Sequence, residues 1–279
     1  FEDYLAYLRT ASPWRRLVTY RPLLAFAIRH IERRRFRKAP LPRVLAMSRG
    51  TRDQILRRHA FPPEQAEILH GGVDTAEFHP AHRLEARDGL RRRYDTPDGA
   101  LVLLMVGNDY RRKGVGCAIE AVARAGHRDL ILWVAGHDRK VARHEALARR
   151  RGVAARFLGP QARPAECLAA ADVFLFPSRF DAFGNAALEA LAAGLPAIVS
   201  ARAGVSELIR DGVNGLLLED PEDPGELARR IGDVLDPARR EEIGKRARAT
   251  AEEHTLERHF TRLFEVYREI AGTRGDRGI

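Results

Sequence analysis

Apolar runs alternate with helix-like segments from about Leu84 to Leu218, and this alternation most strongly constrains the fold. Runs such as 130–135 show no polar alternation, which is typical of strands buried on both faces. Strands joined by helices form right-handed βαβ units and therefore a parallel sheet covered on both sides. The predicted strands are 101–106, 130–135, 155–158, 172–176, 197–200 and 215–218. The predicted helices are 84–93, 114–125, 141–151, 164–170, 184–193 and 205–210. The pattern predicts an α/β protein.

The turn and helix after the predicted strand ending at Phe176 carry two carboxylates. Asp181 precedes the helix, Glu189 lies about one turn (~3.6 residues) inside it, and the helix ends at Gly194. Unpaired first-turn amides and the positive end of the helix dipole attract anions, whereas carboxylates accept hydrogen bonds from hydroxyls. The stretch therefore suits a phosphate beside a polyol. An ordinary turn with solvated carboxylates is the alternative.

A second loop follows the predicted strand 101–106 and also suits an anion. It contains three cations and two glycines: Gly107, Arg111, Arg112, Lys113 and Gly114. Ligands of parallel sheets collect at the carboxyl ends of the strands, where this loop lies. A solvated loop is the alternative, but the position favours phosphate binding.

Together with 204–217, these two stretches resemble the C-terminal half of the retaining glycosyltransferases of family 4. They are similar in particular to the lipopolysaccharide core glucosyltransferases of that group. The resemblance implies the GT-B fold, in which two Rossmann-like domains face a cleft. It also implies transfer of a hexose from a nucleoside-diphosphate sugar, UDP-glucose being favoured, with the anomeric configuration kept. The acceptor would be a glycan or a lipid-linked molecule such as lipopolysaccharide core.

The resemblance also implies roles for individual residues. Arg112 and Lys113 would hold the donor diphosphate, Asp181 would contact the transferred sugar, and Glu189 would contact the ribose. The remaining donor-binding positions would be Gly107, Gly159, Phe183, Gly184, Asn185 and Ala186. The family has a glutamate where this chain has Asp181, whose carboxylate reaches less far by one carbon–carbon bond, about 1.5 Å.

The resemblance implies three regions. Residues 1–80 would be the later part of the N-terminal, acceptor-side Rossmann-like domain, which is interpreted as incomplete because the chain is truncated before it. Residues 81–255 would form the nucleotide-sugar-binding domain. Residues 256–279 would be a helix that crosses back to the N-terminal domain, followed by a frayed tail.

The sequence favours catalysis without a metal or cofactor. Some glycosyltransferases hold a divalent metal with two aspartates two positions apart, and this sequence has no such pair. Arg112, Lys113 and the helix start at Gly184 would supply fixed positive potential to the leaving phosphate instead. Cys117 and Cys167 lie in apolar helical patterns, which supports neither a disulfide framework nor a metal site.

The formal net charge of +10 is concentrated near the N-terminus. Residues 1–60 contain fifteen Lys and Arg residues against four acidic ones, and the basic segment 9–58 also contains apolar residues such as Trp14. This combination predicts peripheral contact with an anionic membrane, with the protein in the cytoplasm or on the inner face of a bacterial membrane. A helix solvated on its arginine-rich face is the alternative. Nucleic acid is disfavoured because no recognition motif accompanies the charge.

Three other classes compete with a transferase. A GT-B sugar-nucleotide epimerase would bind the same donor but would rely on different acid–base carboxylates. A dinucleotide oxidoreductase would need Gly-x-Gly-x-x-Gly at a helix start, and the sequence has none. A non-catalytic nucleotide-sugar-binding chain stays open because the N-terminal domain is expected to be incomplete.

Overall fold

The computed structural model describes residues 22–37 and 41–275. The basic residues before Pro22 lie outside these ranges. The described residues fall into two compact units that divide between His70 and Gly71. The assignment of 1–80, 81–255 and 256–279 to family domains stays a prediction. Within the described residues, no helix combines the length and apolarity needed to cross a membrane.

The first unit contains a two-stranded parallel sheet and two helices. Its elements are α1 (Pro22–Arg37), β1 (Val44–Ala46), α2 (Arg49–His59) and β2 (Ala66–Ile68). Ser48 caps α2, because its hydroxyl accepts a hydrogen bond from the Thr51 amide at 3.2 Å. At the other end of α2, His59 stacks on Phe36 of α1, with ring centroids 4.4 Å apart. This contact joins the two helices.

The second unit is built around a six-stranded parallel sheet. Its strands are β3 (Leu101–Val106), β4 (Leu130–Ala135), β5 (Ala155–Gly159), β6 (Val173–Phe176), β7 (Ala197–Ser200) and β8 (Leu216–Leu218). Its α-helices are α3 (Arg83–Arg93), α4 (Val115–Ala125), α5 (Val141–Arg151), α6 (Pro164–Ala170), α7 (Asn185–Ala192), α8 (Pro224–Gly232), α9 (Pro237–Glu252) and α10 (Leu256–Gly275). The order β5-β4-β3-β6-β7-β8 confirms the predicted parallel sheet.

Both faces of this sheet are covered. Successive residues of β3 enter two different hydrophobic cores, since Leu103 packs in one and Leu104 in the other, each fully buried. β4 behaves in the same way, with Leu132 in one core and Trp133 in the other. Burial on both faces explains why the strands lack polar alternation. It also gives the loops at the strand ends a rigid base.

The helix predicted at 205–210 is wrong in type, because the chain forms a short 3₁₀ helix, Gly204–Leu208. Its first amides bond outside the segment: Gly204 N donates to Asp181 O, and Val205 N donates to Phe183 O. At its far end, the side-chain amide of Asn214 donates to Leu208 O. The first amides of any helix lack a partner within it, so these contacts only fix where the segment starts. An α-helix is prevented at the far end, because the Arg210 amide, which an α-helix would bond to Ser206 O, donates instead to Asn214 Oδ1 at 2.6 Å.

Candidate active site at the switch point of the sheet

The sheet has one topological switch point, between β3 and β6. The chain proceeds from β3 to β4 and β5 on one side, and from β6 to β7 and β8 on the other. Loops leaving neighbouring strands in opposite directions open a crevice at their carboxyl ends, where ligands of such sheets bind. The loops here are 107–114 and 177–184, and they contain the cations and the first carboxylate expected from the sequence.

The structure joins three of the expected residues in one ion cluster. Arg112 Nη1 lies 2.9 Å from Asp181 Oδ2, and Lys113 Nζ lies 2.7 Å from the same oxygen. Arg112 Nη1 also donates to Phe180 O at 3.1 Å. Lys113 Nζ lies 4.3 Å from the centre of the Phe176 ring, a cation–π arrangement. Two cations from one loop therefore converge on one carboxylate oxygen of the other loop.

Lys113 is held largely out of water, its side chain being 12% exposed. Burial lowers the pKa of Lys113 below its ordinary value, and the nearby carboxylate of Asp181 opposes that shift. A cation with little solvent around it interacts more strongly with an anion than a solvated one does. The cluster can therefore bind a further anion, such as a phosphate, at this point of the crevice.

Backbone contacts hold the two loops together. Arg179 N donates to Arg112 O at 2.9 Å, and the Ser178 hydroxyl donates to Phe180 O at 2.9 Å from a fully buried position. Gly114 has φ 78°, and a side chain there would overlap the carbonyl of Pro177. The sequence analysis did not find Ser178, or Phe176, whose ring lies under the Lys113 ammonium. A buried serine and a phenylalanine at the end of a strand belong to no recognisable motif.

Glycine at position 107 allows Lys113 to fold back over its own loop. Gly107 has φ 147°, and a Cβ added there would lie 2.7 Å from Lys113 Cε. Gly159, also expected at the donor site, has φ 68° and accepts a hydrogen bond from Gly136 N at 2.8 Å. Gly159 ends β5, two strands away from β3. It lies along the same edge of the sheet as the cluster.

The start of α7 presents unpaired amides, as expected. Gly184 caps the helix with φ 107°, and a side chain there would approach the Phe176 ring to 2.8 Å. Within residues 41–275, the amides of Asn185 and Ala186 have no hydrogen-bond acceptor. Phe183, also expected at the site, is buried, and its carbonyl accepts the Val205 amide at 2.7 Å. The helix start is thus fixed in place and open to an acceptor.

Glu189 is a partly buried carboxyl on α7. Burial raises the pKa of Glu189 above its ordinary value, and the negative charge of Glu77 adds to the shift. In the part of the chain that the structure describes, Glu189 makes neither a side-chain hydrogen bond nor an ion pair. Its carboxyl oxygens are therefore available to hydroxyl donors.

Gly71 lies against the start of α7. A Cβ at this position would lie 2.7 Å from Asn185 Oδ1 and 2.8 Å from the Phe183 ring. Position 71 therefore has no room for a side chain.

Neither cysteine contributes a reactive thiol. Cys117 and Cys167 are free cysteines. Burial raises the pKa of Cys117 to about 12 and that of Cys167 to about 11. The described residues contain no group of three or more His, Cys, Asp and Glu placed to hold a metal ion.

Comparison with known proteins identifies related sequences and folds. The chain matches the family model described as Glycosyl transferases group 1 over residues 86–250. It is 32% identical over 255 residues to D-inositol 3-phosphate glycosyltransferase 1 of Catenulispora acidiphila, which covers 85% of this chain and 60% of that protein. It spans 51–60% of the length of the D-inositol 3-phosphate glycosyltransferases that it matches.

Two solved structures are similar across most of the chain. The crystal structure of WaaG, a glycosyltransferase involved in lipopolysaccharide biosynthesis, gives a TM-score of 0.73 at 27% identity and covers 90% of this chain and 68% of that one. Anabaena Alr3699/HepE in complex with UDP and glucose gives a TM-score of 0.72 at 21% identity, covering 81% and 63%. Together with the parallel sheet, these likenesses confirm the α/β, Rossmann-like GT-B fold class.

Proposed function

The chain belongs to the Glycosyl transferases group 1 family. On that premise we propose that it is a retaining glycosyltransferase of family 4 and that it binds a nucleoside-diphosphate sugar as donor. The observation that carries the proposal is the ion cluster at the switch point of the sheet. In this cluster Arg112 and Lys113 both donate to Asp181 Oδ2. The cluster lies at the carboxyl ends of the strands, where parallel sheets of this kind bind ligands.

The chemistry of sugar transfer matches this arrangement. As the bond between sugar and diphosphate breaks, negative charge grows on the leaving phosphate. Arg112, Lys113 and the open amides of α7 provide preorganised positive potential for that charge. We therefore propose transfer that needs no metal ion or cofactor.

The two carboxylates would orient the donor. Asp181 lies beside the cations and would accept hydrogen bonds from hydroxyls of the transferred hexose. Glu189, whose oxygens are available, would accept hydrogen bonds from the ribose hydroxyls. Hydrogen bonds to an ionised acceptor are roughly twice as strong as neutral ones.

The relatives support a proposal for the substrates. HepE was solved with UDP and glucose, and WaaG is named for lipopolysaccharide biosynthesis. We propose UDP-glucose as donor and a glycan or lipid-linked acceptor such as lipopolysaccharide core, in the cytoplasm. A second candidate is a non-catalytic nucleotide-sugar-binding chain. Its support is that the chain spans only 51–60% of its inositol-phosphate relatives.

One donor screen separates these candidates. The chain is incubated with UDP-glucose, UDP-galactose, GDP-mannose and ADP-glucose, and nucleotide binding and release are measured with and without EDTA. The proposal expects UDP-glucose to bind best, with release of UDP that EDTA leaves unchanged. Reversible loss of UDP release with EDTA would refute the metal-free scheme. Binding without any release would favour the non-catalytic candidate.

Peripheral membrane contact through the basic segment 9–58 is proposed as well. Its described part includes Arg33, Arg34 and Arg35, all exposed on α1, beside Ile31, which is 65% exposed. Each cation near an anionic surface contributes about 1 kcal/mol. We expect flotation with phosphatidylglycerol vesicles but not with phosphatidylcholine vesicles, and weaker flotation when the three arginines become glutamine. Equal flotation of parent and variant would refute contact through α1.

A further inference from the structure

A cavity of about 560 Å³ opens at the amino ends of the strands, at the edge of the sheet opposite the proposed donor site. Asp172, directly before β6, and Pro196, directly before β7, line it together with residues of α9. Ligand sites commonly have volumes of about 300–1,000 Å³, so the cavity can hold a small molecule.

The cavity contains an excess of positive charge. Asp172 receives three arginines of the α3 region: Arg83 at 2.6 Å, Arg87 at 2.9 Å and Arg91 in close contact. The Asp172 side chain is only 6% exposed, and burial would raise its pKa. The Val102 amide and the three guanidinium groups outweigh burial and hold the pKa of Asp172 below its ordinary value. Asp172 is thus ionised and neutralises one of the three cations.

Arg240 of α9 lines the same cavity as Asp172 and Arg83 and adds a fourth guanidinium group. Burial lowers the pKa of Arg240, the charge of Asp172 opposes this, and the charge of Arg83 adds to it. Arg240 Nη1 donates to the carbonyls of Val234 and Leu235. In the described part of the chain, its Nε and Nη2 have no acceptor. Three guanidinium groups therefore pair with Asp172, and a fourth, that of Arg240, lines the same cavity and has free donors.

The other charged residues of the cavity wall do not cancel this excess. Lys245 pairs with Glu241 at 2.6 Å, and Arg248 pairs with Glu252 at 2.8 Å. Arg248 also donates to three backbone carbonyls, which ties α9 to the wall. Asp236 caps α9 through the amides of Ala238 and Arg239. The remaining charge around Asp172 is positive.

We propose that this cavity binds the phosphate group of a small phosphorylated molecule, with Arg240 and Arg83 as its main donors. A phosphate accepts several charge-assisted hydrogen bonds at once, and the planar guanidinium group of arginine matches it in geometry. A bound dianion would offset the repulsion between the guanidinium groups. The site is independent of the proposed donor site, since the two lie at opposite ends of the strands.

Titration calorimetry with inorganic phosphate, glucose 6-phosphate and glucose tests the site at constant ionic strength. The measurements use the Lys113→Ala background, which removes one of the two cations at the other edge that also attract phosphate. We expect Arg240→Gln to weaken phosphate binding at least about 10-fold, the loss typical of one charge-assisted hydrogen bond. Arg246→Gln is the matched control, because Arg246 lies on the same helix, is exposed, and pairs with Glu242. It should change binding less than about twofold.

The outcomes separate the sources of the phosphate and the two sites. Tighter binding of glucose 6-phosphate than of phosphate would support a sugar phosphate, and equal binding would support free phosphate. Glucose itself should not bind. Equal phosphate affinity in Arg240→Gln and Arg246→Gln would overturn the site. The UDP affinity, measured without the Lys113 substitution, should be the same in both variants. A result that overturns the phosphate site would therefore not contradict the proposed donor site.

Discussion

Replacing Lys113 with methionine tests the ion cluster most directly. The ammonium lies 2.7 Å from Asp181 Oδ2 and over the Phe176 ring, with its side chain 12% exposed. If it binds the donor diphosphate, its loss removes one charge-assisted hydrogen bond from a site with little water. Such a bond contributes about 1.5–3 kcal/mol, so the dissociation constant for UDP should rise about 10- to 150-fold.

The same substitution should leave the fold intact. Asp181 keeps its partner Arg112 at 2.9 Å, so no buried carboxylate is left alone. Methionine has a similar length, and its apolar chain can cover the Phe176 ring. We expect the free energy of unfolding to fall by no more than about 1 kcal/mol.

Two measurements check both expectations. Calorimetry gives the UDP affinity, and urea unfolding followed by circular dichroism gives the stability. Arg246→Gln serves as the control for loss of one positive charge elsewhere on the second unit. A folded Lys113→Met variant that binds UDP within about twofold of the parent, well short of the expected loss, would refute the diphosphate role. A variant that fails to fold would refute the argument that Arg112 suffices for Asp181.

Three further predictions concern the carboxylates of Glu189, Asp172 and Asp181. Glu189→Gln should raise the melting temperature at neutral pH yet weaken UDP binding, because burial raises the pKa of Glu189 and its ionised form is unfavourable in the fold. The gain should appear as pH rises through that raised pKa and vanish below about pH 4, which melts across pH 4–8 would show. Asp172→Asn should cost about 3–5 kcal/mol at pH 7 by urea unfolding, since it breaks a buried ion cluster. Because the Asp172 pKa is held below its ordinary value, this difference should shrink only as pH falls below the range in which a free aspartate ionises, about pH 3.9. Asp181→Glu should keep UDP release and change sugar preference in the donor screen; complete loss of release would contradict the family geometry.

Much of the second unit could be predicted from the sequence. Every strand of the sheet begins and ends within one residue of its predicted bounds, because most strands are apolar runs flanked by turn residues. The two loops at the switch point were also predictable. Each follows a buried strand and carries charged residues that a core would not accept. Strand order then places the loops side by side.

Contacts between distant residues could not be predicted in the same way. Lys113 and Asp181 are 68 positions apart, and no spacing rule brings one carboxylate oxygen between two cations. The 3₁₀ segment 204–208 looked helical because local propensity says nothing about Asn214, whose side chain binds the Arg210 amide and the Leu208 carbonyl. Asp172 has no local signal either, since its partners lie on a helix some 80 to 90 positions earlier.

If the proposed function holds, Asp181 and the donor diphosphate both bind the same two cations, Arg112 and Lys113. Its backbone is fixed because its carbonyl accepts the Gly204 amide and because it pairs with Ala203. A glutamate on the same backbone would carry its carboxylate about 1.5 Å further out, towards the sugar. The shorter aspartate keeps its Oδ2 on both Arg112 and Lys113. A diphosphate must therefore compete with Asp181 for these cations, and a sugar hydroxyl that draws the carboxylate away would strengthen their hold on the phosphate. Sugar recognition and diphosphate binding are thereby coupled through a single side chain.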